Sequence, residues 1–326
     1  MLVKKSILLL TLFMAQLDTT LAGIPLASCI GNASGPRDTT LEELQLLGDS
    51  HSATIMMKSC TLLPRIGNPE PRYATLPGGN SIQSMGLPNL GYKAYLDIIP
   101  QLKRYSKPIV ASIAGFSLNE YVTMTSAFQR SDVDFIEVNL SCPNVPGKSQ
   151  VGYDFEQTEM TLKAISSLGD KPLGLKLPPY FDLAHFQIMA DIIKRYPIRF
   201  LTCINSLGNT LVIDPKTERP IIKPKNGLGG LGGPGIKPVA LANVYNFHQL
   251  LGDTVDIVGV GGIATGTDVF EFLLAGASMV QVGTTFQEEG VECFARLEQE
   301  LSAVLNHKGY PSAQAARGQL KPFDEK

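Results

Sequence analysis

The 326-residue chain has no tryptophan, four histidines and five cysteines, and its 30 acidic residues nearly cancel its 28 basic ones. Each scarcity excludes a class of protein. The cysteines stand at 29, 60, 142, 203 and 293, an odd number with no Cys-x-x-Cys pair. That pattern offers neither a disulfide scaffold nor zinc-ligand spacing, so no metal is expected and a reduced compartment is the simpler setting. A formal net charge of -2, with no interleaving of basic and aromatic residues, excludes a nucleic-acid surface. The one uninterrupted apolar run near the start, Ile7 to Leu10 continuing past Thr11 to Phe13, falls short of the roughly 20 residues that span a bilayer. What is abundant instead is apolar residue, 44% of the chain against 18% charged, the balance of a soluble protein with a sizeable core.

Lys4 and Lys5 followed by that apolar run, with Thr20-Leu21-Ala22 as a small-residue cleavage site, have the form of a short secretory signal. Two observations oppose it. Cleavage after Ala22 would cut beside Ile24-Pro25-Leu26-Ala27-Ser28, which reads as the start of the folded part. Asn32-Ala33-Ser34 and Asn139-Leu140-Ser141 are glycosylation sequons, and a glycan at Asn139 would obstruct the site argued below. Met14 offers a cleaner start. Residues 1–16 are therefore read as an N-terminal extension and 17–326 as a single domain. The expected location is cytoplasmic, with secretion or membrane association as the alternative should Met1 to Ala22 act as a signal.

Apolar runs bounded by turn residues mark eight strands, at 28–34, 54–59, 108–114, 135–141, 173–177, 200–206, 255–261 and 279–284. Helical stretches alternate with them, at 118–130, 157–168, 183–195, 238–251, 267–274 and 290–305. Alternating strand and helix implies parallel strands with crossover helices, and eight such units close a (β/α)8 barrel with long loops over its C-terminal face.

Chemistry in such a barrel gathers at the C-terminal ends of the strands. There the fourth strand delivers Asn139-Leu140-Ser141-Cys142-Pro143-Asn144. A buried structural thiol is the commoner fate of one cysteine, but a core filler needs no polar neighbours at this density. Cys142 is thus a candidate acid/base or nucleophile. Two strands end in lysine, Lys58 and Lys176; each either meets an anion or forms a buried ion pair at the rim. The last two strands end in Gly261-Gly262 and Gly283-Thr284, which leave backbone N–H groups open to a phosphate. The cluster Gly227-Leu228-Gly229-Gly230-Leu231-Gly232-Gly233 reads as a mobile lid, a place where backbone hugs a flat ring, or a plain flexible loop. A long Pro- and Gly-rich segment, 67–89, stands apart from the barrel pattern.

These motifs together resemble the class 1A (soluble, fumarate-type) dihydroorotate dehydrogenases. The resemblance is carried by Asn32-Ala33-Ser34-Gly35, Lys58-Ser59, the runs from Gly67 to Tyr73 and from Ser84 to Asn89, Asn139 to Lys148, Lys176 to Asp182, Asn205-Ser206, Ile222 to Lys225, Pro238 to Val244 and the two glycine-bearing strand ends. It runs from about Leu17 to the C-terminus. It implies an FMN enzyme that oxidises (S)-dihydroorotate to orotate in pyrimidine (UMP) biosynthesis, passes electrons to fumarate, and works as a homodimer. It further implies Cys142 as the base, with Lys58, Gln83, Met85, Gly86, Leu87, Asn139, Asn144, Asn205 and Ser206 around the substrate. FMN would be held by Ala33, Ser34, Gly35, Lys58, Ser59, Asn139, Lys176, Lys225, Gly233, Gly261, Gly262, Gly283 and Thr284.

Several positions depart from the family pattern. Gln83 stands where the family has an asparagine that bonds the substrate, and the preceding Pro77-Gly78-Gly79-Asn80 stretch is one residue longer. Ser149, Gly152, Thr210 and Pro234 also differ. The departures fall around the substrate loop rather than the flavin motifs. Two further readings therefore stay open: an FMN oxidoreductase acting on another dihydropyrimidine or carbonyl compound, and a flavin-binding protein without turnover.

Overall fold

The structure, a computed structural model, describes residues 15–142 and 150–323. Eight parallel strands form the barrel: β1 (Ile30–Asn32), β2 (Ile55–Met56), β3 (Ile109–Ile113), β4 (Phe135–Asn139), β5 (Leu173–Leu177), β6 (Ile198–Cys203), β7 (Asp256–Val260) and β8 (Met279–Val282). They lie within the stretches expected from the sequence, trimmed by one to three residues at most ends, and several of the residues just past their C-terminal ends, such as Lys58, Ser59 and Asn205, line the site; β6 instead gains Ile198 and Arg199 at its start. The ladder runs β1-β8-β7-β6-β5-β4-β3-β2.

Between β2 and β1 a side chain completes the circle. Asn32 donates its amide Nδ2 to the carbonyl of Met56 (2.9 Å) and accepts the Met56 N–H on Oδ1 (3.0 Å), while Ala53 N–H reaches Ile30 O (2.8 Å). Asn32 thus mimics a strand's donor and acceptor where the strands diverge. Its sequon is structural, since both Asn32 and Asn139 are buried.

Helices cover the barrel: α1 (Leu41–Asp49), α2 (Tyr92–Leu102), α3 (Leu118–Gln129), α4 (Phe155–Ile165), α5 (Leu183–Ile193), α6 (Lys237–Leu251), α7 (Gly266–Leu274), α8 (Thr284–Glu289) and α9 (Glu292–Lys308). Their starts follow capping chemistry. Thr40 with Glu43 and Thr265 with Asp268 form capping boxes, and Ser117, Asp154 and Asp182 cap α3, α4 and α5. At the N-terminal end of the barrel an antiparallel hairpin, Thr19–Leu21 with Ile24–Leu26, turns at Ala22-Gly23. Ala22 N–H bonds Asp256 Oδ2 (2.7 Å) and Thr19 Oγ1 bonds Ser278 O (2.9 Å), so Ala22 is the tip of a folded hairpin.

The glycine cluster is neither lid nor loop. Leu228–Gly232 is one of the two inner strands of a four-stranded antiparallel sheet with Leu207–Leu211, Asn80–Gln83 and Tyr73–Leu76, standing on the C-terminal face. Glycine is required by closeness: a Cβ on Gly230 would meet Ser206 Oγ at 2.2 Å, and one on Gly229 would meet Gln83 O at 2.8 Å. The turn Pro77–Gly79 leads into Asn80–Gln83, and Gly78 and Gly79 take φ of +72° and +75° there.

Inside the barrel, Ser112 and Thr202 hydroxyls donate to the two oxygens of fully buried Glu137 (3.1 and 2.8 Å). With its proton committed to Glu137, Ser112 Oγ accepts from Ser59 Oγ (2.8 Å). Ser59 Oγ in turn accepts from Asn139 Nδ2 (3.0 Å) and Ser34 Oγ (3.0 Å). Replacing Asn32 by Asp sets an oxygen against the Met56 carbonyl at the seam. We expect denaturant unfolding of Asn32→Asp to show a loss of about 1–3 kcal/mol or more, the cost of a buried group left unpaired.

Candidate active site

The strand ends surround one cavity of about 350 Å³ at the C-terminal face. From the residues singled out in the sequence, its wall collects Ala33, Ser34 and Gly35 after β1, Lys58 and Ser59 after β2, and Asn139 and Cys142 at β4. Lys176 comes from β5, Asn205 and Ser206 follow β6, and Gly261, Gly262, Gly283 and Thr284 follow β7 and β8. The side sheet and its loop contribute Gln83, Met85, Gly86, Leu87 and Gly233. Lys225 is not among the lining residues. It sits, half-buried, in the turn Pro224–Gly227 that leads into the strand Leu228–Gly232. Asn144 lies outside the described residues.

Cys142 is half-buried, against Leu87, Ala114 and Phe116. The other four cysteines are buried away from the site, and burial pushes their thiols up, to about 12 at Cys29 and Cys293. Cys142 is therefore the one thiol that meets the cavity.

A continuous polar network stands beside it. Asn139 Oδ1 accepts the Ser141 N–H (3.0 Å) and hydroxyl (3.1 Å). Asn205 Nδ2 donates to Ser141 O and Oγ (both 3.0 Å), and its Oδ1 accepts the Ser206 N–H (2.8 Å). Gln83 Nε2 reaches Ser206 Oγ (3.3 Å), and Gln83 Oε1 accepts the Met85 N–H (3.2 Å). The longer side chain thus bridges the substrate loop to the end of β6. The same loop is held from behind by Arg65, which donates to Gly86 O (3.1 Å) and stacks on Phe116, and by Asn68, which donates to Ser84 O (2.9 Å).

Two ammonium groups face the cavity. Lys58 is 8% exposed and Lys176 4%. Lys58 donates to the Gly35 carbonyl and Lys176 to Ser34 O (3.4 Å). Burial lowers the Lys58 pKa; nearby Asp38 opposes this, and the Lys176 charge adds to it.

Sequence reasoning missed several wall residues, among them Tyr73, Ser81, Ile204 and Gln281. Gln281, in the middle of β8, is buried, and its Oε1 has no hydrogen-bond partner among the described residues. An acceptor without a donor inside a cavity marks a place where a bound molecule supplies one. A glutamine within the apolar run Met279-Val280-Gln281-Val282 was the available signal. Tyr73 donates its hydroxyl to Glu288 (2.7 Å), and burial followed by that carboxylate pushes it up to about 12. The cradle beside Gln281 is bare: a Cβ on Gly35 would meet nothing within 4 Å, and one on Gly283 only Ala33 at 3.8 Å. Gly261 and Gly262 take φ of +133° and +79°. Open backbone, two buried cations and an orphan acceptor suit a flat, anionic, hydrogen-bonding molecule. Among the described residues no cluster suits a metal ion, and no helix is long and apolar enough to cross a membrane.

Comparison with known proteins agrees with this geometry. The fold is shared with dihydroorotate dehydrogenase from Eimeria tenella solved with ferulenol (TM-score 0.79, 20% identity, 93% of this chain and 88% of that one). A curated relative from Streptococcus equi subsp. equi, described as a putative dihydroorotate dehydrogenase A (fumarate), is 49% identical over 94% of this chain and 99% of its own. Dihydroorotate dehydrogenase A (fumarate) of Lactococcus lactis subsp. cremoris is also 49% identical, over 94% of this chain and 99% of its own. The family model for dihydroorotate dehydrogenase matches residues 16–305, and the chain belongs to the dihydroorotate dehydrogenase family.

Proposed function

We propose that the chain oxidises (S)-dihydroorotate to orotate with bound FMN, and that fumarate takes the electrons. The observation that carries this reading is the meeting, in one cavity, of a partly exposed thiol, two buried ammonium groups and a bare glycine cradle. The names of the fumarate-type relatives support the acceptor.

When bound, the flavin supplies the hydride acceptor for the substrate's C6 hydrogen. The chain does the rest. Cys142 removes the C5 proton as a thiolate; a free thiol has a pKa of about 8.5, so positive charge nearby, such as that of Lys58, is needed to make it competent near neutral pH. Lys58 offsets the substrate carboxylate. Asn139, Asn205 and Ser206, already fixed by their mutual bonds, present amide and hydroxyl groups to the pyrimidine edge. Lys176 places positive charge where the flavin ring would gain negative charge on reduction. Gly261, Gly262, Gly283 and Thr284 would hold the phosphate. Gln281 would accept a hydrogen bond from the ring.

By the same resemblance the chain works as a homodimer in the cytoplasm. Five unpaired cysteines suit a reducing compartment. Light scattering at micromolar concentration is expected to return twice the chain mass of 35.2 kDa.

An anaerobic absorbance spectrum tests the central reading. The visible flavin band is expected to bleach on addition of dihydroorotate and to return with fumarate. Dihydrouracil, which lacks the carboxylate facing Lys58, should leave it unchanged; bleaching by dihydrouracil alone would move the assignment to another dihydropyrimidine. Cys142→Ser should keep its flavin and lose about 10²–10⁴ in the rate of bleaching, the usual worth of a positioned base. Gln83→Asn should lower kcat/KM about tenfold, since the shorter amide loses Ser206 and a small misplacement at a hydrogen-bonded site is costly.

A further inference from the structure

Asp38 lies just beneath the cavity wall. It is fully buried, yet it is not part of the lining. Its Oδ2 accepts the Gly35 N–H (2.8 Å), and its main-chain carbonyl accepts the Lys58 N–H (2.9 Å). The Lys58 ammonium donates to the carbonyl of the same Gly35. Gly35 is therefore held between a carboxyl on one side and an ammonium on the other. The second carboxyl oxygen, Oδ1, is buried with no hydrogen-bond partner among the described residues.

A neutral acceptor would satisfy the Gly35 N–H equally well. What distinguishes an aspartate here is its charge, and a buried charge persists only near opposite charge. The groups that face it are few. Lys58 and Lys176 come from the strand ends, Glu43 from α1 and Tyr95 from α2. Cys142 also acts on Lys58. Tyr95 is itself buried with an unpartnered hydroxyl, and burial above all pushes its pKa up. Lys58 is thus the first counter-charge that Asp38 meets.

We propose that Asp38 is a positioning residue for Lys58, the internal counter-ion that an incoming ligand carboxylate displaces, so that ligand binding is accompanied by uptake of a proton at Asp38. This rests on the reading above, in which Lys58 receives the carboxylate of dihydroorotate or orotate. The proton balance is simple. Before binding, one carboxylate and one ammonium face each other across Gly35. Binding brings a second carboxylate to the same ammonium, and like charges at one site raise the pKa of one of them. The ligand, in contact with the ammonium, stays ionised. Asp38, with an unpartnered oxygen, takes a proton from solvent.

Burial already raises the Asp38 carboxyl to about 7, with Lys58 the first influence opposing it. The sign follows. Well below pH 7 Asp38 is neutral before the ligand arrives, so no proton is taken up and binding is strongest. Above pH 7 it is ionised, a proton must be acquired, and affinity falls as pH rises.

The test is calorimetry of orotate binding to the FMN-loaded protein, between about pH 6 and 8, in buffers of different ionisation enthalpy. The wild type should weaken about threefold to tenfold over that range and take up close to one proton per orotate at the upper end. Asp38→Asn keeps an acceptor for Gly35 and should bind with no uptake and no pH dependence; Asp38→Ser, smaller and neutral, should do the same if the asparagine variant folds poorly. Uptake that persists without Asp38 would assign the proton to Lys58 or Cys142 and overturn the proposal, as would a wild type whose binding ignores pH. No heat of orotate binding at any pH would overturn the substrate reading itself, a result distinct from binding that is tight but pH-independent.

Discussion

The site depends on the position of one hydroxyl. Ser59 Oγ lies between Ser34, Ser112 and Asn139, and the direction of every bond it makes is set by Glu137 deeper in the barrel. Because Glu137 takes the Ser112 proton, Ser59 must donate downward and accept from both sides. Asn139 is thereby oriented with its oxygen toward Ser141, which in turn fixes Asn205 and Ser206. A barrel interior is ordinarily filled with branched apolar side chains in layers. Here one layer is polar and fully paired, and it makes the floor of the cavity rigid before any ligand enters.

Above that floor the electrostatics are unbalanced. Two ammonium groups share a space with one buried carboxyl. Such a site favours anions, and it holds its own cations less comfortably when empty than when filled. The uncovered glycine backbone extends the same preference to the far end, where the strands β7 and β8 stop. The side sheet and its loop close another side, bringing Gln83 and Met85 to the cavity wall without adding charge.

Much of this was legible in the chain. The strand–helix alternation located all eight barrel strands, because each is a short apolar run between turn residues. The strand-end residues were readable for the same reason: a lysine or an Asn-Leu-Ser-Cys run that ends a buried strand has few places to point. Other features were not. Leu228–Gly232 is short, glycine-rich and has its pairing partner at 80–83, so no local period betrays a strand. Lys225, singled out by the family resemblance, stands in the turn before that strand and is not among the cavity's lining residues. Asp38 follows Arg37 and precedes two threonines, a composition typical of a polar connection, and only packing reveals that it is buried. Gln281 and Glu137 are polar residues inside apolar runs, which marks them as unusual without naming their partners.

The distribution of the five cysteines has a practical side. Four are enclosed, with thiols that burial keeps protonated, and one opens on the cavity. To an alkylating reagent the folded protein therefore presents a single address. One equivalent suffices to mark it, a molecule seated in the cavity shields it, and the mass of the product reports occupancy without any turnover at all.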